Sequence, residues 1–253
     1  MSENTDRLSI ILGVNGSLGA AVAGDSKMRQ TDIVGVDLGP TSLIGHLKEY
    51  RQCDFRDRQA ITRAATLSGC DQYQELFCIS CIGSFGDDTF AGDKFDEERF
   101  YETVQVNLLG VAQFMLTLLH QPATRRMRVK VIIVGSTASY VGSRDVGYGV
   151  AKAGLNGLVI SLSKCLASQG PAIIGINPGI FTSPMSSSVS EERQHQAARG
   201  DRHEPRRPGT RREPDEADEQ DHESEVRRIV EIGRLPLLRV ADQGIGRAMQ
   251  HIS

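Results

Sequence analysis

Leu8 to Leu12 is a short apolar run of strand type, and it ends in Gly13-Val14-Asn15-Gly16-Ser17-Leu18-Gly19 before an alanine-rich helix pattern. Glycines at such a strand-to-helix turn let the backbone bend tightly and let a pyrophosphate approach it. The helix that follows offers its N-terminal amides and the positive end of its dipole to the phosphates. Ordinary turns also collect Gly and Asn, so the pattern draws its meaning from its setting, a strand before it and a helix after it.

The next strand, Asp32-Ile33-Val34-Gly35-Val36, ends at Asp37. An acidic side chain about twenty residues past a glycine turn can accept hydrogen bonds from the adenosine ribose hydroxyls. It would repel a 2′-phosphate, and Leu38-Gly39-Pro40 supplies no arginine to welcome one, so the residues favour NAD. A plain strand-end aspartate is the alternative. The link from Asp37 to Cys53-Asp54-Phe55, itself a strand end, is short, which predicts a helix reduced to a turn or two. Phe77 to Gly83, Val129 to Val134 and Ile173 to Ile176 are further apolar runs that read as buried strands. Phe95 to Gln121 has helical periodicity, and Asn107 sits inside it between Val106 and Leu108. Asparagine is a mediocre helix former, so a buried one in mid-helix needs a reason.

Tyr148-Gly149-Val150-Ala151-Lys152 opens a long helix pattern that runs to Ser168. Positions four apart lie one above the other on a helix, so the Tyr148 phenol and the Lys152 ammonium can reach one space. A free tyrosine titrates near pH ~10, and a fixed cation beside it favours the phenolate. That makes Tyr148 a candidate general acid/base and Lys152 its modulator. A half-buried Tyr with a surface Lys is the plainer account of the pair alone. Ser136 lies upstream, just past the Val129 to Val134 run.

Tyr148, Lys152, Ser136, Asn107 and the glycine turn together resemble the short-chain dehydrogenase/reductase family, over roughly residues 8 to 186. The resemblance implies an α/β fold, a Rossmann-like doubly wound parallel sheet, and NAD(H)-dependent oxidation of a secondary alcohol or reduction of a ketone. It implies that Tyr148 moves the proton, that Lys152 lowers the Tyr148 pKa and binds the nicotinamide ribose, and that Ser136 orients the substrate oxygen. Ser139 or Thr137 could share the Ser136 role. Asn107 would help hold a water that links the lysine to solvent. Gly13, Asn15, Gly16, Ser17, Leu18 and Gly19 would cradle the phosphates, and Asp37 would take the ribose. Asp54 would touch the adenine amine, with Phe55 beside it and Gly83 after the fourth strand. Pro178-Gly179-Ile180, with Thr182, would meet the nicotinamide carboxamide. Two other classes stay open: an isomerase or dehydratase that retains its NAD, and a non-catalytic cofactor-binding scaffold.

Composition narrows the rest. The net charge of −3 gives no electrostatic case for nucleic acid or an anionic membrane. No apolar run approaches the ~18 residues of a membrane span, and MSENTDRLSI lacks a secretory h-region. A cytoplasmic protein is expected, and five cysteines without framework spacing fit a reducing compartment. The Cys78-x-x-Cys81 pair reads as filler, since thiols at those positions of a strand point to opposite faces. The six histidines lack ligand spacing, and no metal is assigned. The partners expected are a small-molecule alcohol or ketone and a second copy of the chain, as a homodimer or homotetramer if the C-terminal segment folds.

Residues 1–190 thus read as an NAD-binding catalytic domain. Residues 191–253 read as a charged, poorly structured segment without the family's usual last strand. The change at Glu191 is abrupt, and Arg, Asp, Glu, His and Gln dominate up to Arg228. After Lys164 there is no lysine, after Tyr148 no tyrosine and after Phe181 no phenylalanine. A GC-rich gene read out of frame from near Glu191 would produce that bias; a natural acidic-basic loop is the other account.

Overall fold

The structure is a computed structural model that describes residues 5–25, 27–86 and 95–179. Ile180, Thr182 and the charged segment 191–253 lie outside the described residues.

Six strands form one parallel sheet: β1 (Arg7–Leu12), β2 (Asp32–Asp37), β3 (Glu49–Gln52), β4 (Glu75–Ser80), β5 (Arg128–Val134) and β6 (Ala172–Ile176). Their order is β3-β2-β1-β4-β5-β6. Strand order reverses between β1 and β4, and at such a switch the carboxyl ends of the strands open a crevice. This is the doubly wound sheet expected from the sequence.

Alternate side chains of these strands bury one face against the helices. Leu8, Ile10 and Leu12 of β1, Val34 and Val36 of β2, Leu76 and Cys78 of β4, and Val129, Val131 and Ile133 of β5 belong to one cluster. It is completed by Ile61 of α2 (Arg58–Ala65), by Val111, Phe114, Met115 and Leu118 of α4 (Gly110–His120), and by Leu155 and Leu162 of α6 (Val146–Leu166). Full burial of one such side chain stabilises by about 1.5–3 kcal/mol, so this cluster is the main anchor of the described unit.

Two local expectations are corrected. Residues 38–48 hold no helix; the segment is an irregular loop leading into β3. Gly39, Pro40 and Gly45 disfavour helix there, and Asn15 pins the loop instead. Its amide donates to Thr41 O (3.0 Å) and its oxygen accepts from Leu43 N (2.9 Å). The Tyr50 hydroxyl donates to Gly39 O (2.6 Å). Second, the Phe95 to Gln121 pattern is not one uniform helix. It comprises α3 (Glu97–Val104), a π-helical turn (Gln105–Leu109) and α4. By length and composition Glu97–His120 would suffice to cross a membrane, against the expectation that no stretch would. Its Val111, Phe114, Met115 and Leu118 lie in the core instead.

Candidate active site

The glycine turn sits at the carboxyl end of β1. Gly13 has φ +74°, a backbone conformation that side chains disfavour, and its N–H donates to Val36 O (2.8 Å). Gly19 allows α1 (Ser17–Gly24) to lie against the turn, since a Cβ there would fall 2.0 Å from Gly13 O. Gly16 and Ser17 at the head of α1 are exposed and Leu18 and Asn15 are half-buried, so the helix start faces solvent. Asp37 stands beside this turn: one carboxylate oxygen accepts from Asn15 N (2.8 Å) and the other from Leu38 N (2.7 Å). An exposed helix head flanked by a carboxylate fits a dinucleotide, with phosphate at the amides and ribose at the acid.

Other candidates are placed differently from expectation. The Asp54 carboxylate is engaged by Arg56, whose guanidinium holds it below the usual carboxylate range (Nη2 to Oδ2, 2.8 Å). The Phe55 ring is buried and stacked on Phe114 (centroids 6.2 Å apart), so that side chain belongs to the core and only its backbone can meet a cofactor. Gly83 is half-buried past the end of β4. Thr137 N donates to Pro178 O (3.0 Å) and Ser136 N to Asn177 Oδ1 (3.1 Å), which ties the turn after β6, with exposed Gly179, to the turn after β5.

Tyr148, Lys152 and Ser136 meet at the carboxyl ends of β4 and β5, while Asn107 reaches the segment past β4. The Ser136 hydroxyl faces the phenol and favours the phenolate. Ser139 instead donates to Ser136 O (2.6 Å), and of these hydroxyls Ser136 is the one that acts on the phenol. Lys152 is only 2% exposed; its ammonium donates to Ile82 O (2.9 Å) and Val134 O (3.3 Å) and lies 5.5 Å from the centre of the Tyr148 ring.

The expected lowering of the Tyr148 pKa by Lys152 is not what the geometry gives. Burial raises the phenol above its ordinary value, the Asp145 carboxylate adds to the rise, and Ser136 is the group that opposes it. The lysine is held by carbonyls rather than by the phenol oxygen, and burial brings its own pKa down to about 8.

Asn107 is fully buried in the π-helical turn. Its Nδ2 donates to Thr103 O (2.9 Å) and Ser84 O (2.9 Å), and its Oδ1 accepts from Ser84 N (3.0 Å). The side chain thus acts as a brace between α3 and the segment that leaves β4. The chain past β4, Cys81-Ile82-Gly83-Ser84, is thus held from two sides, with Lys152 taking Ile82 O and Asn107 taking Ser84 O. Cys78 Sγ rests 3.8 Å from Met115 Sδ, and burial pushes the Cys81 thiol up to about 12. Both thiols are free, and among the described residues no three His, Cys, Asp or Glu side chains gather as a metal site.

Two residues at the site were not anticipated. Asp145 is the N-cap of α6 and accepts from Tyr148 N (2.8 Å). Aspartate directly before a helix is a readable cap signal. Phe85 packs on the Tyr148 ring, with centroids 4.5 Å apart, and nothing in its sequence neighbourhood announces this.

The family model for short chain dehydrogenases matches residues 8–194. Over 148 residues the chain is 32% identical to the 3-oxoacyl-[acyl-carrier-protein] reductase MabA of Mycobacterium avium, covering 56% of this chain and 55% of that protein. It is 26% identical over 200 residues to retinol dehydrogenase 16 of Homo sapiens, covering 74% of this chain and 61% of that one. The chain spans about half the length of the curated relatives it matches. Among solved structures, a 3-oxoacyl-[acyl-carrier protein] reductase from Brucella melitensis in complex with NAD superposes with a TM-score of 0.67 at 18% identity, covering 77% of this chain and 81% of that one. A short chain dehydrogenase from Burkholderia cenocepacia J2315 in complex with NADP gives 0.61 at 17%, covering 72% and 76%. The family match runs from β1 through the Tyr148 helix and past β6, and on that extent the chain belongs to the short chain dehydrogenase family of oxidoreductases.

Proposed function

We propose that the protein transfers hydride between NAD(H) and a secondary alcohol or ketone, with Tyr148 as the proton donor and acceptor. The observation that carries this reading is the Tyr148 phenol beside the Ser136 hydroxyl, one helical turn before a buried lysine, at the carboxyl end of the sheet. A nicotinamide supplies the hydride chemistry itself. Gly13 to Gly19 would hold its phosphates and Asp37 its adenosine ribose, which favours NAD over NADP. Lys152 would reach the nicotinamide ribose, and Ser136 would hold the substrate oxygen.

A phenol with a raised pKa holds its proton at neutral pH, which is the form that gives it to a carbonyl oxygen. Relatives named as 3-oxoacyl reductases make a 3-oxoacyl thioester the first substrate to try.

The remaining proposals are a catalytic unit over 1–190 with 191–253 as an appended segment, a cytoplasmic location, and self-association. The last is supported by exposed Tyr101, Leu109 and Leu116 along α3 and α4, and by exposed Val150 and Ile160 on α6.

Tyr148→Phe tests the reading. Turnover of NADH with a ketone panel should fall at least ~100-fold while NADH affinity barely moves. Near-normal turnover would remove Tyr148 from the chemistry. A wild-type protein that binds NADH and turns over no ketone would favour the scaffold alternative.

A further inference from the structure

The segment that leaves β4 is tied down residue by residue. Asn107 holds Ser84 through both its amide and its carbonyl. Gly86 lies close against α3, where a Cβ would fall 1.9 Å from Thr103 Oγ1 and force that side chain to move. The Gly86 N–H donates to Asp145 Oδ2 (2.6 Å), while Asp145 Oδ1 accepts from Tyr148 N (2.8 Å). Asp145 is 6% exposed, so this carboxylate is buried between two backbone amides of separate elements. Phe85, between the two anchored residues, carries the ring that lies 4.5 Å from the Tyr148 ring.

We propose that Asp145 is a positioning residue: one carboxylate caps the Tyr148 helix and latches Gly86, and so seats Phe85 as the apolar wall beside the reacting phenol. A helix cap needs one acceptor, and Ser, Thr or Asn would serve as well. A carboxylate can accept on both oxygens at once, and here one takes the Tyr148 amide and the other the Gly86 amide. The wall narrows the space next to the phenol and keeps water from it, so the latch acts on the substrate side and leaves the glycine turn untouched. This inference rests on Tyr148 being the proton-transfer residue.

Asp145→Asn separates the two duties, since the asparagine oxygen still caps Tyr148 while its NH2 cannot accept from Gly86. In the full-length protein, the Gly86 amide should exchange with solvent at least about tenfold faster, with the Tyr148 amide unchanged. With a ketone substrate, kcat/KM should fall at least about tenfold while the NADH dissociation constant stays within about twofold. Phe85→Ala should reproduce the kinetic loss, and the double variant should lose little more, because the two residues act as one unit. Unchanged Gly86 exchange in Asp145→Asn would overturn the latch. Faster exchange with kcat/KM within about twofold of wild type would overturn its part in the reaction. A wild-type protein inactive on every ketone, with Gly86 released by the variant, would refute the reductase reading and leave the latch standing.

Discussion

Replacing Lys152 by Met should make the protein more stable at neutral pH, by an amount that shrinks as pH rises. Lys152 is 2% exposed, and burial brings its pKa from 10.5 to about 8. At about 1.4 kcal/mol per pH unit, that fall is a folding penalty of about 3 kcal/mol while the lysine is charged in both states. Ile82 O and Val134 O lose their donor in the variant, at about 1 kcal/mol each, partly offset by the apolar side chain. The net gain near pH 7 is about 1–2 kcal/mol. The sign of the pH dependence follows from proton counting. Between about 8 and 10.5 the unfolded chain still holds the proton and the folded chain has released it. The wild type therefore gains stability across that window, about 2 kcal/mol between pH 7 and pH 9.5. The Met variant lacks that gain. Urea unfolding of both proteins at a series of pH values measures the gap directly. A gap that stays constant from pH 7 to 9.5 would refute the argument, since it would mean that Lys152 does not release its proton early in the folded state. Loss of turnover together with gained stability would mark the lysine as kept for chemistry at the fold's expense.

The Asp37 carboxylate beside the glycine turn predicts that NADH binds more tightly than NADPH, read from dissociation constants for the two; equal affinity would show that Asp37 does not face the ribose. Gly19→Ala places a Cβ where Gly13 O now sits, so the turn must shift. The expected loss is about 3 kcal/mol of stability, together with weakened cofactor binding, measured by thermal unfolding and NADH titration.

Apolar runs were enough to find five of the strands, because a strand covered on one or both faces has few ways to look otherwise; β3, Glu49-Tyr50-Arg51-Gln52, carries no such run, and the strand end was read just past it at Cys53-Asp54-Phe55. Their order was a matter of family resemblance, since nothing in a run of valines names its neighbour. The chemistry was legible where spacing alone fixes geometry. Tyr148 and Lys152 share a helix face at any register, and the Gly13 to Gly19 spacing fixes the helix head. It failed where a side chain's role depends on a contact distant in sequence. Phe55 was read by its position after Asp54, but Phe114 draws its ring into the core. The π-helical turn at Asn107 coincides with an amide that reaches across to Ser84, and no local periodicity records that reach.

The Tyr148 pKa is the instructive failure. Sequence spacing placed a cation within reach of the phenol, and from that a lowered pKa followed. What spacing could not supply was the direction in which the ammonium points. Ile82 O, two residues past β4, and Val134 O, at the end of β5, both fall beside Lys152 only once β4 and β5 are paired. Those carbonyls take the charge that was expected to act on the phenol. Asp145, whose carboxylate is fixed by the Tyr148 and Gly86 amides, then leaves the tyrosine facing a negative neighbour instead. Burial of the phenol is the larger cause of its raised pKa, and the Asp145 carboxylate adds to it. A phenol that holds its proton at neutral pH is in the form that donates it to a carbonyl oxygen.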